Sequence, residues 1–182
     1  MTTVINLHGG PGTGKSTSAA YLFYALKKAG KNAELVREYV KDWAWEKRHI
    51  NAYDQLYFLG KQSRKESMLY GKVDLIVTDS PIWLSAYYAQ VYCPLFVSEG
   101  VRAATVAYYH QASQDGHVHH HVNLKRTKEY NPAGRFQTEE QARELDGDMA
   151  RFLKDVKVKA VECGTENVQL DELLVKLGIL QS

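Results

Sequence analysis

Apolar residues recur along this chain with two periods, and the alternation between them predicts its architecture. Residues 3–7 form a short apolar run with β-branched members that ends in glycines, as a buried strand does. From Lys15 onward, Ala19, Leu22, Phe23 and Leu26 repeat at helical spacing until Gly30 supplies a stop. A second strand is expected over 33–36. Tyr53, Leu56 and Tyr57 then open a helix ending at Gly71, with Asp54, Lys61, Arg64 and Lys65 on its other face. Residues 73–78 read as a third strand, apolar enough to be covered on both sides. Helices follow over 82–92, broken by Cys93-Pro94, and over 97–112. Residues 118–125 read as a fourth strand despite their histidines, and 130–136 as a loop with Asn-Pro and Gly. Thr138, with Gln141 three residues on, matches a capping box ahead of a helix that aligns Ala142, Leu145, Met149, Phe152 and Leu153. The last strand is expected at 167–170, before a short terminal helix.

Strand and helix in alternation argue for an α/β fold with a parallel sheet covered on both sides. No internal repeat, low-complexity segment or linker interrupts the 182 residues, so a single domain is expected across 1–182.

The first strand runs into Gly9-Gly10-Pro11-Gly12-Thr13-Gly14-Lys15-Ser16, followed by Thr17. This matches the phosphate-loop pattern G-x-x-x-x-G-K-[ST], in the strand-to-helix context that the pattern requires. Glycines let backbone N–H groups wrap a phosphate, and the start of the following helix adds its positive end. The cradle comprises Gly10, Gly12, Thr13, Gly14, Lys15, Ser16 and Thr17. Lys15 would reach the β- and γ-phosphates of ATP, and the Ser16 hydroxyl would bind Mg²⁺.

No N-K-x-D segment is present to read guanine, and no L-S-G-G-Q signature. Two strand ends carry carboxylates instead. Asp79 closes the third strand, where parallel sheets face their ligands, and is a candidate for Mg²⁺; the competing role is a helix cap ahead of Pro81. Glu38 follows the second strand and is a candidate to accept a proton from an attacking hydroxyl; it competes with a solvated partner for Arg37 or Lys41. Lys125, Arg126, Lys128 and Arg135 surround a glycine- and proline-containing segment at 125–138. That suits a lid, with Arg126 and Arg135 as catalytic cations; an exposed basic loop is the plainer alternative.

Trp43 and Trp45, with Arg48 nearby, offer stacking faces and a phosphate grip, or simply helix packing. On the second helix Gln55 is a candidate to read a base edge and Arg64 to contact an acceptor phosphate. His117, His119, His120 and His121 invite a metal proposal, but no partner has ligand spacing, and packed or solvated histidines are preferred.

Charge and cysteine content narrow the classes. A formal net charge of +2 gives no bulk attraction to nucleic acid or membrane, although a local basic patch remains open. Cys93 and Cys163 form no spaced pair, which fits a reducing compartment. With no signal-like leader and no run of 18 apolar residues, a cytoplasmic protein without a membrane span is expected.

The phosphate loop, Glu38-Tyr39-Val40-Lys41, Asp79-Ser80-Pro81 and the 130–137 segment Tyr-Asn-Pro-Ala-Gly-Arg-Phe-Gln together resemble the small AAA-like P-loop kinases of bacteria and phages. That group is related to the ribosylnicotinamide kinase domain and, more distantly, to deoxynucleoside and thymidylate kinases. The resemblance implies a three-layer P-loop fold with a five-stranded parallel sheet of order 2-3-1-4-5. It also implies ATP with Mg²⁺, and a small acceptor beside the γ-phosphate. It would make Glu38 the acceptor-orienting base, the 53–70 helix a pocket wall and Arg135 a lid residue. Asp79-Ser80-Pro81 departs from it by lacking the arginine that many deoxynucleoside kinases carry after their acidic residue.

The leading expectation is phosphoryl transfer to a nucleoside, a nucleoside monophosphate or a nicotinamide riboside-like compound, by a monomer or homodimer. Two alternatives stand beside it: a kinase acting on DNA or RNA, and a nucleotide-sensing ATPase switch.

Overall fold

The structure, a computed structural model, describes residues 1–127, 131 and 138–181. Its elements in chain order are β1 (Thr3–His8), α1 (Lys15–Lys28), β2 (Ala33–Val36), α2 (Lys41–Trp45) and α3 (Asp54–Ser67). There follow β3 (Leu75–Thr78), α4 (Ile82–Tyr92), α5 (Leu95–Gln114), β4 (Val118–Leu124), α6 (Glu139–Asp155), β5 (Ala160–Cys163) and α7 (Asn167–Lys176). The five strands form one sheet in the order β2-β3-β1-β4-β5. Every pairing is parallel, with Ile5 opposite both Val77 and His120. The expected fold class and strand order are those observed.

One expectation fails. Residues 167–170 are the first turn of α7, and the last strand lies earlier, at Ala160–Cys163. Val168 and Leu170 mimic strand alternation, but Val168 is exposed while Leu170, Leu173 and Leu174 are buried, which is helical spacing. β5 escaped notice because it is a four-residue edge strand with one buried side chain. The short α2 was also not anticipated.

Strand parity divides the core. Ile5 and Leu7 face α1 and α7 in a cluster with Leu22, Leu26, Val122, Leu170 and Leu174. On the opposite face α3, α4, α5 and α6 pack through Leu59, Ile82, Tyr87, Val101, Met149 and Phe152. That side of the sheet is not purely apolar. Asn6 and His8 of β1 lie fully buried there, beside His119 and His121 of β4. His8 Nε2 sits 2.9 Å from His121 Nδ1, and Asn6 Nδ2 donates to His119 Nδ1.

The network extends into the helices. Glu66 of α3 is fully buried, and its Oε1 accepts from the hydroxyls of Tyr70 (2.8 Å) and Tyr108 (3.0 Å). Tyr70 also lies 3.1 Å from His119 Nε2 and stacks on His117 at 4.1 Å. With Nδ1 accepting from Asn6 and the Tyr70 proton given to Glu66, His119 Nε2 must be the donor, so this imidazole is neutral. His117, His119 and His121 are thus packed within the fold. Among the described residues no group of three or more His, Cys, Asp or Glu is placed to hold a metal ion.

Burial controls the titration of these groups. It lifts the Glu66 carboxyl from 4.5 to about 7, against its two tyrosine hydrogen bonds. Burial, with the neighbouring positive charges as a lesser cause, pulls His8 well below 6.5, His119 to about 3 and His121 to about 4. The signs oppose. Between pH 4.5 and 7 the folded chain holds the Glu66 proton that the unfolded chain has lost, so this stabilisation fades as pH rises to 7. Below pH 6.5 the unfolded histidines bind protons that the folded ones refuse, so their contribution is lost as pH falls. Glu66→Gln therefore isolates the carboxylate. Thermal melts should show the variant more stable by roughly 5 °C at pH 8, with the gap closing toward pH 5. A gap that widens toward pH 5 contradicts this account.

Candidate functional site

The phosphate loop leaves β1 at His8 and enters α1 at Lys15. Its turns need left-handed backbone at Gly14, whose φ is 98° and which caps α1. A side chain at Gly10 would collide with Asp146 Oδ1, because the loop backbone approaches α6 that closely. The loop supports itself from within: the Thr13 N–H and hydroxyl both donate to the Gly10 carbonyl. Lys15 Nζ donates to the carbonyls of Gly9 (2.8 Å) and Gly10 (2.9 Å), which folds it back across the loop. Ser16 and Thr17, in the first turn of α1, are exposed to the cleft described below.

A second support comes from α6. Asp146 Oδ1 accepts the Gly10 N–H at 3.0 Å, and the same carboxylate takes two hydrogen bonds from Arg126. Arg126 Nη2 also donates to the Pro11 carbonyl at 2.7 Å. With its side chain 9% exposed and committed in this way, Arg126 grips the phosphate loop and does not line the cleft. This differs from the lid cation expected of it: position 126 is two residues past the end of β4, close enough to the loop to be drawn into an ion pair with Asp146. Arg135, and most of the expected lid at 125–138, lie outside the described residues.

Asp79 follows β3 and is 3% exposed, and its Oδ1 accepts the Glu38 N–H at 2.8 Å. The carboxylate therefore ties the chain leaving β2 to the end of β3. Ser16 and Asp79 supply oxygen donors only, a set that suits Mg²⁺, which takes few protein ligands and completes its shell with phosphates and water.

In front of the loop opens a cleft of about 680 Å³. It is lined by the phosphate loop and Ser16 and by Glu38, Lys41 and Arg48. Gln55 and Phe58 of α3 and Leu84, Tyr88 and Tyr92 of α4 also line it. Burial, and after it the Glu38 carboxylate, hold the Tyr88 phenol well above its ordinary pKa, so Tyr88 stays a neutral hydroxyl. Gln55 is only 7% exposed although it lines the cleft, so its amide is presented from an otherwise packed wall.

Of the expected site residues, the cleft gathers Gly12, Gly14, Lys15, Ser16, Thr17, Glu38, Arg48 and Gln55. Gly10, Thr13 and Arg126 stand behind them as supports, and Asp79 is held at the end of β3 by its hydrogen bond to Glu38. Arg64 is exposed on α3 and does not reach the cleft, because it is nine residues beyond Gln55, two and a half turns along the helix. Trp43 packs edge-on against Phe58 at 4.8 Å, leaving Phe58 as the ring that lines the cleft. Trp45 is 60% exposed. Phe58, Tyr88 and Asp146 were missed. In sequence Phe58 has the pattern of helix core and Asp146 that of one more charge on a charged helix, and only tertiary contact distinguishes them.

Comparison with known proteins agrees with this fold. The chain superposes on the structure of NadR protein in complex with NR with a TM-score of 0.73 at 16% identity, covering 98% of this chain and 52% of that one. NadR protein in complex with NAD and AMP-PNP gives 0.71 at 14% identity, covering 100% and 51%. Deoxyadenosine kinase from M. mycoides, with products dCMP and a flexible dCDP bound, gives 0.56 at 15%, covering 97% and 100%. The chain thus spans about half the length of the NadR structures, and at these identities the likeness is one of fold. Comparison with curated proteins gave no match. A family model described as an AAA domain matches residues 4–169, from β1 into α7, and the chain belongs to that AAA domain family.

Proposed function

We propose that this chain is an ATP- and Mg²⁺-dependent kinase whose acceptor is a nucleoside or nucleotide moiety held in the cleft. One observation carries the reading: the phosphate loop and Glu38 open into the same cleft, with Gln55, Phe58 and Tyr88 on its walls. A ring to pack on, an amide to read a base edge and a carboxylate near the phosphates suit a planar, hydroxyl-bearing acceptor. The likeness in fold to NadR and to deoxyadenosine kinase supports it.

In the proposed reaction the loop amides and the first turn of α1 hold the β-phosphate, and Lys15 swings from its carbonyls to the β- and γ-oxygens. Ser16 and Asp79 would hold Mg²⁺, which when bound neutralises charge on the phosphate oxygens. Glu38 orients the acceptor hydroxyl and takes its proton. The acceptor oxygen bonds to the γ-phosphorus as the bond to the β–γ bridging oxygen breaks, and ADP leaves. Arg126 and Asp146 act by position, fixing Gly10 and Pro11. Arg135 remains the candidate lid cation.

A label-transfer screen tests the reading. With Mg²⁺ and γ-labelled ATP, label should move to a nucleoside, a nucleoside monophosphate or nicotinamide riboside; release of free phosphate alone would replace the kinase with an ATPase switch. Lys15→Ala should lower transfer at least ~10³-fold. Glu38→Gln should lower kcat by about 10²-fold while nucleotide affinity changes less than ~3-fold, and full activity of that variant removes Glu38 as base. Asp146→Ala should raise KM for ATP about tenfold, with Asp146→Asn recovering part of the loss because it still accepts the Gly10 N–H. Equal KM values for the two variants would show that Asp146 does not position the loop.

A further inference from the structure

Beside the cleft, the surface formed by the exit of β2, α2 and α3 concentrates cations and aromatic rings. Residues 37–65 hold seven Lys and Arg against four Asp and Glu, while the rest of the chain holds sixteen against seventeen. The near-neutral total therefore hides a local excess of positive charge.

The side chains are interleaved as one strip. Lys65 Nζ lies 5.4 Å from the Tyr39 ring centre, Lys61 Nζ 5.3 Å from Tyr57, and the Arg48 guanidinium 5.1 Å from Trp43. The Tyr39 and Tyr57 hydroxyls are 2.7 Å apart, and the Trp43 and Tyr57 rings lie 6.2 Å apart. Lys65 also donates to the Arg37 carbonyl, which places Arg37 at the far end. Tyr57, Lys61, Arg64 and Arg48 are exposed, as are Trp45 (60%) and Tyr53 (77%) nearby. At its near end the strip enters the cleft, because Arg48 and Lys41 line it. Among the local carboxylates, Glu46 pairs with Arg48, which partly commits that cation, and Asp54 accepts the Asn51 N–H at 2.8 Å.

A free nucleoside needs none of this strip, which extends beyond the cleft. A single-stranded polynucleotide offers what would use it. Its phosphates meet the cations, its bases have faces that stack on exposed rings, and both repeat along the strand. We propose that the α2–α3 face binds single-stranded polynucleotide and leads one nucleotide of that strand into the cleft as the phosphoryl acceptor. The binding claim stands on the strip, and the acceptor claim rests on the kinase reading above. In the transfer step a hydroxyl of that nucleotide forms the bond to the γ-phosphorus, its proton passes to Glu38, and ADP leaves with the bridging oxygen.

Fluorescence anisotropy with labelled twelve-nucleotide oligo-dT and oligo-rA, at 50 and 200 mM salt without ATP, reads the binding directly. Wild type should bind, and Lys61→Gln/Lys65→Gln should bind about tenfold more weakly at 50 mM salt, with a log–log salt slope shallower by roughly 1. Tyr57→Ala should weaken binding with the slope unchanged. Binding of a fluorescent ATP analogue should be the same in all three, which reports that the variants are folded. No saturable binding by wild type, double-variant affinity equal to wild type, or preference for phosphatidylserine vesicles over oligonucleotide overturns the proposal. Phosphorylation of free nucleosides without oligonucleotide binding removes this face and leaves the kinase. Oligonucleotide binding without transfer to any acceptor keeps the binding face, removes its acceptor role and removes the kinase.

Discussion

β1 is paired on both edges and covered on both faces, and the phosphate loop begins at the point where it ends. Parallel pairing with β3 and β4 fixes the height of His8 against the neighbouring strand ends. Because every strand runs the same way, the turns after β1, β2 and β3 all emerge at the carboxyl end of the sheet. Lys15, Glu38 and Asp79, far apart in sequence, arrive there together, and the Asp79–Glu38 hydrogen bond closes the gap between two of those turns. The cleft depends on this register: a one-residue slip of β1 would reverse the parity of Ile5 and Leu7 and turn His8 toward α1.

The buried polar side of β1 gives the sheet a further restraint. Asn6, His8, His119, His121, Tyr70, Tyr108 and Glu66 are linked by hydrogen bonds and ring contacts from α3 to the residue preceding Gly9. Asn6 Oδ1, His8 Nδ1 and Glu66 Oε2 find no hydrogen-bond partner among the described residues, so burying the network is costly and the bonds it does make resist any shift that would break them. α3 carries both Glu66 and the cleft residues Gln55 and Phe58, so the same network fixes the height of that wall of the cleft. From the other side, Asp146 and Arg126 hold Gly10 and Pro11. The phosphate loop is thus supported from beneath by β1 and from the flank by α6.

Most of this architecture was legible in the sequence, for identifiable reasons. Long amphipathic helices declare themselves by period, and the phosphate loop by composition and spacing together. β5 was hidden because an edge strand of four residues with one buried position carries almost no periodic signal, while Val168 and Leu170 mimic one. At the site, Lys15 and Ser16 could be singled out by motif, Glu38 by strand-end position and Gln55 as an amide on the expected second helix. Arg126 could be located but not assigned, since its partner Asp146 is twenty residues away and depends on how α6 docks. Arg64 fell on the wrong stretch of a correctly expected helix. The polar network left one clue, the shared parity of Asn6 with His8 and of His119 with His121, and no period reveals its link to Glu66.

The central claim is that the phosphate loop and the Glu38–Gln55 cleft are two halves of one site, spanned by a single reaction coordinate. Calorimetric titration with adenosine joined through a polyphosphate chain to a second nucleoside tests it most directly, because such a molecule must occupy both halves at once. The account predicts binding at least tenfold tighter than ATP, with that advantage lost in Gln55→Ala while ATP affinity is kept. Binding no tighter than ATP for any second nucleoside, or an advantage indifferent to Gln55, would contradict it.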